Sequence, residues 1–591
     1  MRSDGKEFSP TPNPSPTRRE RLSGCAFHPS PLVGEGPGMG GKARHTACQT
    51  ASVSADRRAD PPIPRPDARQ ERTLWLALLA GAAILGAALV WVSTPGGVAT
   101  SPDSWNYIAA ARNLLAGEGF TRYTGDPFVL WPPLFPALIA ALVGLADLAG
   151  RTLHLLDALR VVNALTVAAT VIAAGLLMRR FLRSAWVAAL ATLAVALGYP
   201  LVYVAAFAWS EPLFILLGLL AMIALDRHLA APRDRTLLAA AILAGLAGVQ
   251  RYTGAMLIVT GALALFVLAV HVPLRRRLRD AALFAGVAAL PLALWLAHNQ
   301  ARAGTLTGER APSTRTLPAN VRAVYDLAVT WLTPERLGVG YQAAGLITGG
   351  ALVLGLALLV ARERHGALRW LAGLRALPLM LFAALYAAFV VVSAARVQYD
   401  PIDERLLAPL YVPVIGLAFA VLDRAVGWLR ARGGRLPAYA LVTLAALWLL
   451  YPADRLRDNL PTLRDISEAS QVTYETWRES PLVRAVRAGP PGGRILTNAP
   501  LHLLVHSGLA NEPVPAALDG WATLLEDAAG EEVTLIWFEP ITRCDWGRRH
   551  CIVTDYTVET LAGRWDITPV IIAADGGAYR LDLGPDEQPG E

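Results

Sequence analysis

The chain is 591 residues long, 54% hydrophobic and 17% charged, with a mean hydropathy of +0.39. It is too apolar for an ordinary soluble protein of that length, and apolar runs of about 16 to 24 residues recur along it. The net charge of +7 is not a nucleic-acid signal, because much of the arginine excess sits in short loops between apolar runs, where it reports membrane orientation.

Residues 1–73 are rich in Pro, Gly, Ser and Arg and show no apolar period, so they are expected to form a disordered tail. No apolar h-region marks a secretory signal. The piece H-P-S-P-L-V-G-E-G-P-G-M (28–39) is similar to translated intergenic repeat sequence. A start later than Met1, at Met39 or at a non-Met codon, is therefore an open alternative, and the tail carries no functional reading. Residues 74–93 carry no charge and suffice to cross roughly 30 Å of hydrocarbon. Arg57, Arg58, Arg65, Arg69 and Arg72 precede them, which puts the N-terminus in the cytoplasm.

A first outer loop follows at 94–154. In S-P-D-S-W-N-Y, Ser101 reads as a helix N-cap, Pro102 as the first helical residue, and Asp103 as a first-turn carboxylate. Gly117 and Gly119 supply the stop. Asp103 either only stabilises that helix end or offers a carboxylate for chemistry just outside the membrane. Residues 134–149 are apolar but short, and Pro132, Pro133 and Pro136 open them. If they spanned, Arg179, Arg180 and Arg183 would fall outside, so an interfacial helix is expected.

Further spans are expected at 157–178, 185–207, 211–228, 236–250, 253–271, 281–298, 341–361, 377–395, 406–421 and 437–451. The reading is a polytopic α-helical membrane protein of about eleven transmembrane helices, with residues 74–451 as its membrane domain and the C-terminus outside. From 452 to 591 the composition turns polar. R-I-L-T-N (494–498), V-T-L-I-W-F (533–538) and P-V-I-I-A (569–573) read as short buried strands, and 484–487 and 523–528 as helical. A small extracytoplasmic α/β C-terminal domain is expected. Cys544 and Cys551 make a poor zinc site, with six residues between them and one nearby His; a disulfide is expected if that compartment is oxidising.

Under this topology the polar residues near span ends gather on the outer side. They are Asp103 and Asp126 in the first loop, Trp209-Ser210-Glu211-Pro212, Gln250-Arg251-Tyr252, His298-Asn299, and the run Arg396, Tyr399, Asp400, Asp403, Glu404 and Arg405. Each has a plain alternative. Glu211 can simply start its helix, Arg251 can be a snorkelling anchor, and Arg396 and Arg405 can pair with the acids beside them. Burying Arg251 between two apolar segments costs about 2.5–3.5 kcal/mol on insertion scales, which marks it as a functional candidate. His502 and His506 lie four apart without a third ligand and read as structural. No G-x-x-x-x-G-K-[ST] loop and no G-x-S-x-G elbow occurs. Carboxylates and arginines above an apolar bundle suit a substrate with a greasy tail and a charged head.

P-D-S-W-N-Y-I-A-A-A-R-N-L-L-A-G-E-G (102–119) resembles the first outer loop of the GT-C superfamily of membrane glycosyltransferases, of the protein mannosyltransferase and aminoarabinose-transferase type that includes bacterial lipopolysaccharide-modifying relatives. W-P-P-L-F-P (131–136), D-A-L-R-V-V-N (157–163) and W-S-E-P-L-F (209–214) resemble further elements of that family in the same order, over residues 74–450. The resemblance implies inverting transfer of a sugar from a polyprenyl-phosphate carrier to a lipid, glycan or protein acceptor outside the bacterial cytoplasmic membrane. Asp103 would match the family's catalytic base, with Glu211 or Asp126 as second acid. Arg251, Arg396 and Arg405 would grip the lipid phosphate, and Tyr107, Tyr252 and His298 would contact substrate. Ser104 stands where many relatives carry a second carboxylate, which leaves a divalent metal ion undecided. The competing reading is a transporter or flippase of an envelope lipid or glycan. Transporters place ionisable groups near the midplane and often repeat their halves, and neither feature is found here. An envelope-assembly scaffold is a third reading, and it leaves Asp103 and Arg251 unexplained.

Overall fold

The computed structural model describes residues 68–151, 153–334, 375–398, 400–528, 531–539 and 554–582. Residues 1–67, the expected span at 341–361, Tyr399 and the expected Cys544–Cys551 pair lie outside the described residues. The first helices are α1 (Ala68–Ser93), α2 (Pro102–Ala116), α3 (Leu134–Leu148), α4 (Leu155–Phe181), α5 (Ala185–Ala196) and α6 (Tyr199–Ala205). They are followed by α7 (Glu211–Ala230), α8 (Asp234–Gln250), α9 (Ala255–Leu268), α10 (Leu274–Ala303) and α11 (Leu317–Thr330). After the undescribed stretch come α12 (Leu377–Arg396), α13 (Glu404–Ala431), α14 (Arg435–Trp448) and α15 (Leu450–Arg478).

The chain is a polytopic helical membrane protein. Among the described residues seven helices are long and apolar enough to cross a membrane, or eight if α5 and α6 form one bent span. Helix α3, at 15 residues, belongs to the shorter apolar class. Small residues let the helices approach closely, as lipid supplies no hydrophobic drive between them. A Cβ on Gly86 would sit 3.2 Å from Val167 and Val171 of α4, and one on Gly245 of α8 would sit 3.0 Å from the Ala288 carbonyl of α10.

Three departures from the sequence expectations have physical causes in the structure. The apolar run at 185–207 is not one rod, because it bends by 40° between α5 and α6. Pro200 has no N–H to continue the ladder, and Gly198 lies so close to Tyr411 that a Cβ would meet the ring at 2.2 Å. The Tyr411 hydroxyl donates to the Ala194 carbonyl freed at the break (2.9 Å). The polar loop after α10 contains α11, which Thr316 caps by accepting from the Ala319 N–H. Polar sequence after 451 does not start the α/β layer directly, since α15 runs on to Arg478 with Pro461 inside it.

Helix α15 organises the loop before α2. The Gly96 N–H donates to Ser467 Oγ (3.1 Å), Ser467 Oγ donates to the Gly97 carbonyl (2.7 Å), and the Thr100 N–H donates to Ser470 Oγ (3.1 Å). Both serines are fully buried. The same stretch pairs with the chain leading into α7: the Ala99 N–H donates to the Ala206 carbonyl (2.7 Å), and the Ala208 N–H donates to the Ala99 carbonyl (2.9 Å). Buried Asn163 of α4 donates to the Ala205 and Phe207 carbonyls at 2.8 and 2.9 Å. The starts of α2 and α7 are thus tied side by side, although about a hundred residues separate them.

The C-terminal layer is built from α16 (Pro481–Ala488), β1 (Arg494–Thr497), α17 (Pro500–Ser507), β2 (Glu512–Pro513), α18 (Gly520–Asp527), β3 (Val533–Phe538), α19 (Val558–Ala562), β4 (Asp566–Ala573) and β5 (Gly576–Asp582). The sheet order is β2-β1-β3-β5-β4, with β1 parallel to β2 and β3 and β5 antiparallel to both of its neighbours. All six residues of β3 are buried, as a central strand covered on both faces requires. Strand β5, rich in Gly and polar residues, gave no apolar run to read. Leu501, Leu504 and Val505 of α17 join Trp105 and Ile108 of α2 in one core. His502 stacks on Trp477 with ring centroids 4.3 Å apart.

Two expected outcomes follow from these ties. Asn163→Leu leaves the Ala205 carbonyl without its side-chain donor, while the Phe207 carbonyl keeps the Trp209 N–H (2.9 Å), and should lower stability by about 1–3 kcal/mol, read by thermal unfolding in detergent; an unchanged melting temperature would show that the Ala205 carbonyl finds another partner. Burial, helped by the positive charges of Arg112, Arg478 and Arg487, pushes the His506 imidazole down to about 3. The unfolded chain takes up that proton near pH 6.5, so the stability tied to neutral His506 is complete above that pH and is lost as pH falls toward about 3. The melting temperature of His506→Phe should therefore fall less than that of wild type between pH 6.5 and 4.

Candidate active site

The start of α2 is a reciprocal cap. Ser101 Oγ accepts from the Ser104 N–H (3.4 Å), Ser104 Oγ accepts from the Ser101 N–H (3.0 Å), and Pro102 occupies the first turn. The expected stop at Gly117 is present, with φ of 88° that glycine adopts without strain. This cap holds Asp103 at the helix tip with its side chain 27% exposed. Trp209 Nε1 also donates to Ser101 Oγ (2.7 Å), which locks the approach to α7 onto the same cap.

Arg405 enters from the first turn of α13, where Asp403 caps the helix by accepting from the Leu406 N–H (3.0 Å). Its Nη2 donates to Asp103 Oδ2 and its Nε to Glu211 Oε1, each at 2.5 Å. Its guanidinium lies 4.1 Å from the centroid of the Trp209 ring. Arg251 reaches the same Glu211 oxygen with Nη1 at 2.6 Å and also donates to Ser210 Oγ at 3.0 Å. It can do so because α8 stops at Gln250 and Arg251 is extended before a 3-10 turn, Tyr252–Gly254. At Gly254 a Cβ would sit 2.4 Å from the Ala247 carbonyl, so only glycine lets the turn close that tightly. Two carboxylates and two guanidinium groups from four separate elements make one network. Glu211 is fully buried at its centre, which its two guanidinium partners make tolerable.

The network borders a cavity of about 370 Å³. Asp103, Tyr107, Arg251, Tyr252 and Arg405 line it, together with Trp131, Ser210, Gln250, Arg310 and Gln398. Gln250 Oε1 and Arg251 Nε, in two of the lining residues, are buried without a partner. Burial, and then the negative charges of Asp103 and Glu211, push the Tyr107 hydroxyl well above its usual range, so it stays protonated and available as a donor.

The other expected positions fall elsewhere. Asp126 sits in a turn, where it accepts from Thr124 (2.7 Å) and pairs with Arg122 (3.6 Å). Arg396 ends α12 with an exposed side chain, and His298 lines a different cavity. Neither Asp126 nor Arg396 borders the 370 Å³ cavity. Glu404 turns away from Arg405 and pairs with Arg455 and with Trp331 Nε1 (2.9 Å). Arg310 was not singled out in the sequence. It arrives on the loop after α10, where Gly308 (φ 80°) packs so tightly on Leu130 that a Cβ would lie 2.4 Å away. A glycine-marked turn inside a polar loop was the only signal for it.

The donor set does not fit a divalent ion. Both carboxylates are engaged by guanidinium groups, and among the described residues no group of three His, Cys, Asp or Glu side chains could hold a metal.

The chain, a helical membrane bundle with a small sheet, has the GT-C fold shared with solved glycosyltransferases. The structure of ArnT from Cupriavidus metallidurans in the apo state matches with a TM-score of 0.52 at 14% identity, over 86% of this chain and 98% of that one. ArnT from the same organism bound to undecaprenyl phosphate matches with a TM-score of 0.52 at 15% identity, over 87% and 100%. Arabinofuranosyltransferase AftD from Mycobacteria matches with a TM-score of 0.50 at 16% identity, over 86% of this chain and 42% of that one. No protein-family model matches the sequence, and a comparison with curated proteins finds no match either.

Removing the central acid tests the network. Glu211→Ala leaves Arg251 and Arg405 with a buried, uncompensated charge and should destabilise the protein by about 3–5 kcal/mol. Chemical or thermal unfolding reads this, and a loss below about 1 kcal/mol would mean that Glu211 is not the element joining the two arginines.

Proposed function

We propose that this protein is a glycosyltransferase that moves a sugar from a polyprenyl-phosphate carrier to a lipid, glycan or protein acceptor at the outer face of the bacterial cytoplasmic membrane. The observation that carries the reading is Arg405 shared between a partly exposed carboxylate, Asp103, and a buried one, Glu211, at the wall of a cavity. The ArnT structure of matching fold is bound to undecaprenyl phosphate, a carrier of the class proposed. In this reading residues 74–451 form the membrane domain and residues 452–591 an outer domain on the periplasmic side.

A sugar held on a polyprenyl phosphate is a phosphodiester with one negative charge. When its anomeric C–O bond breaks, the leaving phosphate monoester gains charge, and guanidinium groups already fixed in place stabilise that gain. Arg405 and Arg251 are the groups positioned to do so, with Arg310 on the same cavity. As the donor phosphate takes over Arg405, the Asp103 carboxylate is released from its ion pair and becomes free to accept the proton of an acceptor hydroxyl. The acceptor oxygen forms the new bond on the face opposite the departing phosphate, so the sugar carbon inverts. Glu211, buried and doubly paired, holds the two arginines in place and does not exchange protons in this scheme.

Asp103→Asn tests the assignment in membranes supplied with a labelled polyprenyl-phosphate sugar and an envelope extract. Transfer should fall about a hundredfold or more while expression and membrane insertion persist. Transfer at the wild-type rate would remove Asp103 as the base, and lipid movement without any transfer by wild type would favour a flippase.

A further inference from the structure

A second cavity, of about 290 Å³, is lined by Phe120, Trp295, His298, Asn299 and Arg302; Val129 borders it, and the next residue, Leu130, borders the first cavity. It could hold on the order of ten waters, more than a bridging gap between polar groups needs. Its wall is rigidly built. The Tyr252 hydroxyl donates to the Val129 carbonyl (2.7 Å) and accepts from Trp295 Nε1 (3.1 Å) and from Asn299 Nδ2 (3.0 Å). Asn299 is fully buried. Its Nδ2 also donates to the Leu306 carbonyl (2.8 Å), and a carbonyl accepts only from the NH₂ end, so the amide orientation is determined. Asn299 Oδ1 is therefore the atom left over, buried and without a partner.

A buried acceptor left unpaired loses about 1–3 kcal/mol unless a ligand donates to it. Beside it the His298 ring stacks on Trp295 (5.1 Å, 20°), and Phe120 meets Trp295 edge-on (5.3 Å). An aromatic platform next to an orphan acceptor, with a guanidinium at Arg302, matches the amphipathic chemistry of a sugar ring. Such a ring has a C–H face to lie on the platform and hydroxyls to donate to Asn299. We infer that this cavity is a carbohydrate subsite that takes a ring of the acceptor glycan remote from the reacting hydroxyl. The inference rests on the proposed transfer reaction for the word acceptor only. Tyr252 lines the main cavity and is hydrogen-bonded to two residues of the second, so it couples the subsites.

The experiment uses the full chain in lipid nanodiscs with two readouts. Saturation-transfer NMR with methyl glycosides of hexoses and pentoses as probes reads binding without requiring transfer. Wild type should give signals on at least one glycoside, and they should weaken several-fold in His298→Ala, whose side chain is exposed and tolerates truncation, and about tenfold in Asn299→Leu. Asp103→Asn should keep them. Transfer kinetics form the second readout: His298→Ala should raise the KM for acceptor several-fold and leave the KM for the polyprenyl-phosphate donor unchanged. Glycoside signals absent in wild type or unmoved in both variants would overturn the subsite, and so would a rise in donor KM alone. Glycoside binding that depends on His298, in a protein showing no transfer, would support a sugar-binding cavity and overturn the proposed reaction instead.

Discussion

The site at the ends of the spans depends on one guanidinium with two acids. Arg405 holds Asp103 on one side and Glu211 on the other, and Arg251 closes the arrangement from behind Glu211. A carboxylate as deeply buried as Glu211 would be intolerable alone, so the fold must bring both arginines to it. That requirement brings α2, α7, the α8–α9 turn and α13 together at one point. Replacing such a network by packed hydrophobic residues is often neutral or stabilising, so its presence is better explained by what it does than by stability.

The network is held from outside by a backbone strap. Residues 96–100 pair with the chain before α7 and are bonded to Ser467 and Ser470 of α15. Helix α15 thus reaches from the membrane part to the first loop, and α17 packs on the far side of α2 through Leu501, Leu504 and Val505. The C-terminal layer consequently packs against the helix that carries Asp103, with the Trp105 ring stacked on Tyr474 and edge-on to His502.

Much of this was legible in the chain itself. The cap at Ser101, the stop at Gly117 and the helix-end positions of Glu211 and Arg251 follow from local rules, because a cap or a helix end is decided within four residues. Apolar runs outside 341–361 coincide with helices for the same reason. The bend at Gly198 and the helix at 317–330 were missed, since the first needs the Tyr411 ring from α13 and the second is too polar to stand out by hydropathy. Arg396 and Arg405 were equivalent in sequence, nine residues apart in one polar loop, yet only Arg405 borders the cavity.

By itself, then, the sequence determined which segments are helical and apolar, which ends carry charge, and which short runs can be strands. Periodicity, caps and hydropathy are properties of neighbouring residues. Tertiary structure alone decided that Arg405 and not Arg396 meets Asp103, that His298 and Asn299 line a separate cavity, and that two serines of a polar helix pin the first loop. Those outcomes rest on hydrogen bonds and ion pairs between residues 41 to 371 positions apart. Such contacts have no local signature because either partner is chemically ordinary until the fold supplies the other.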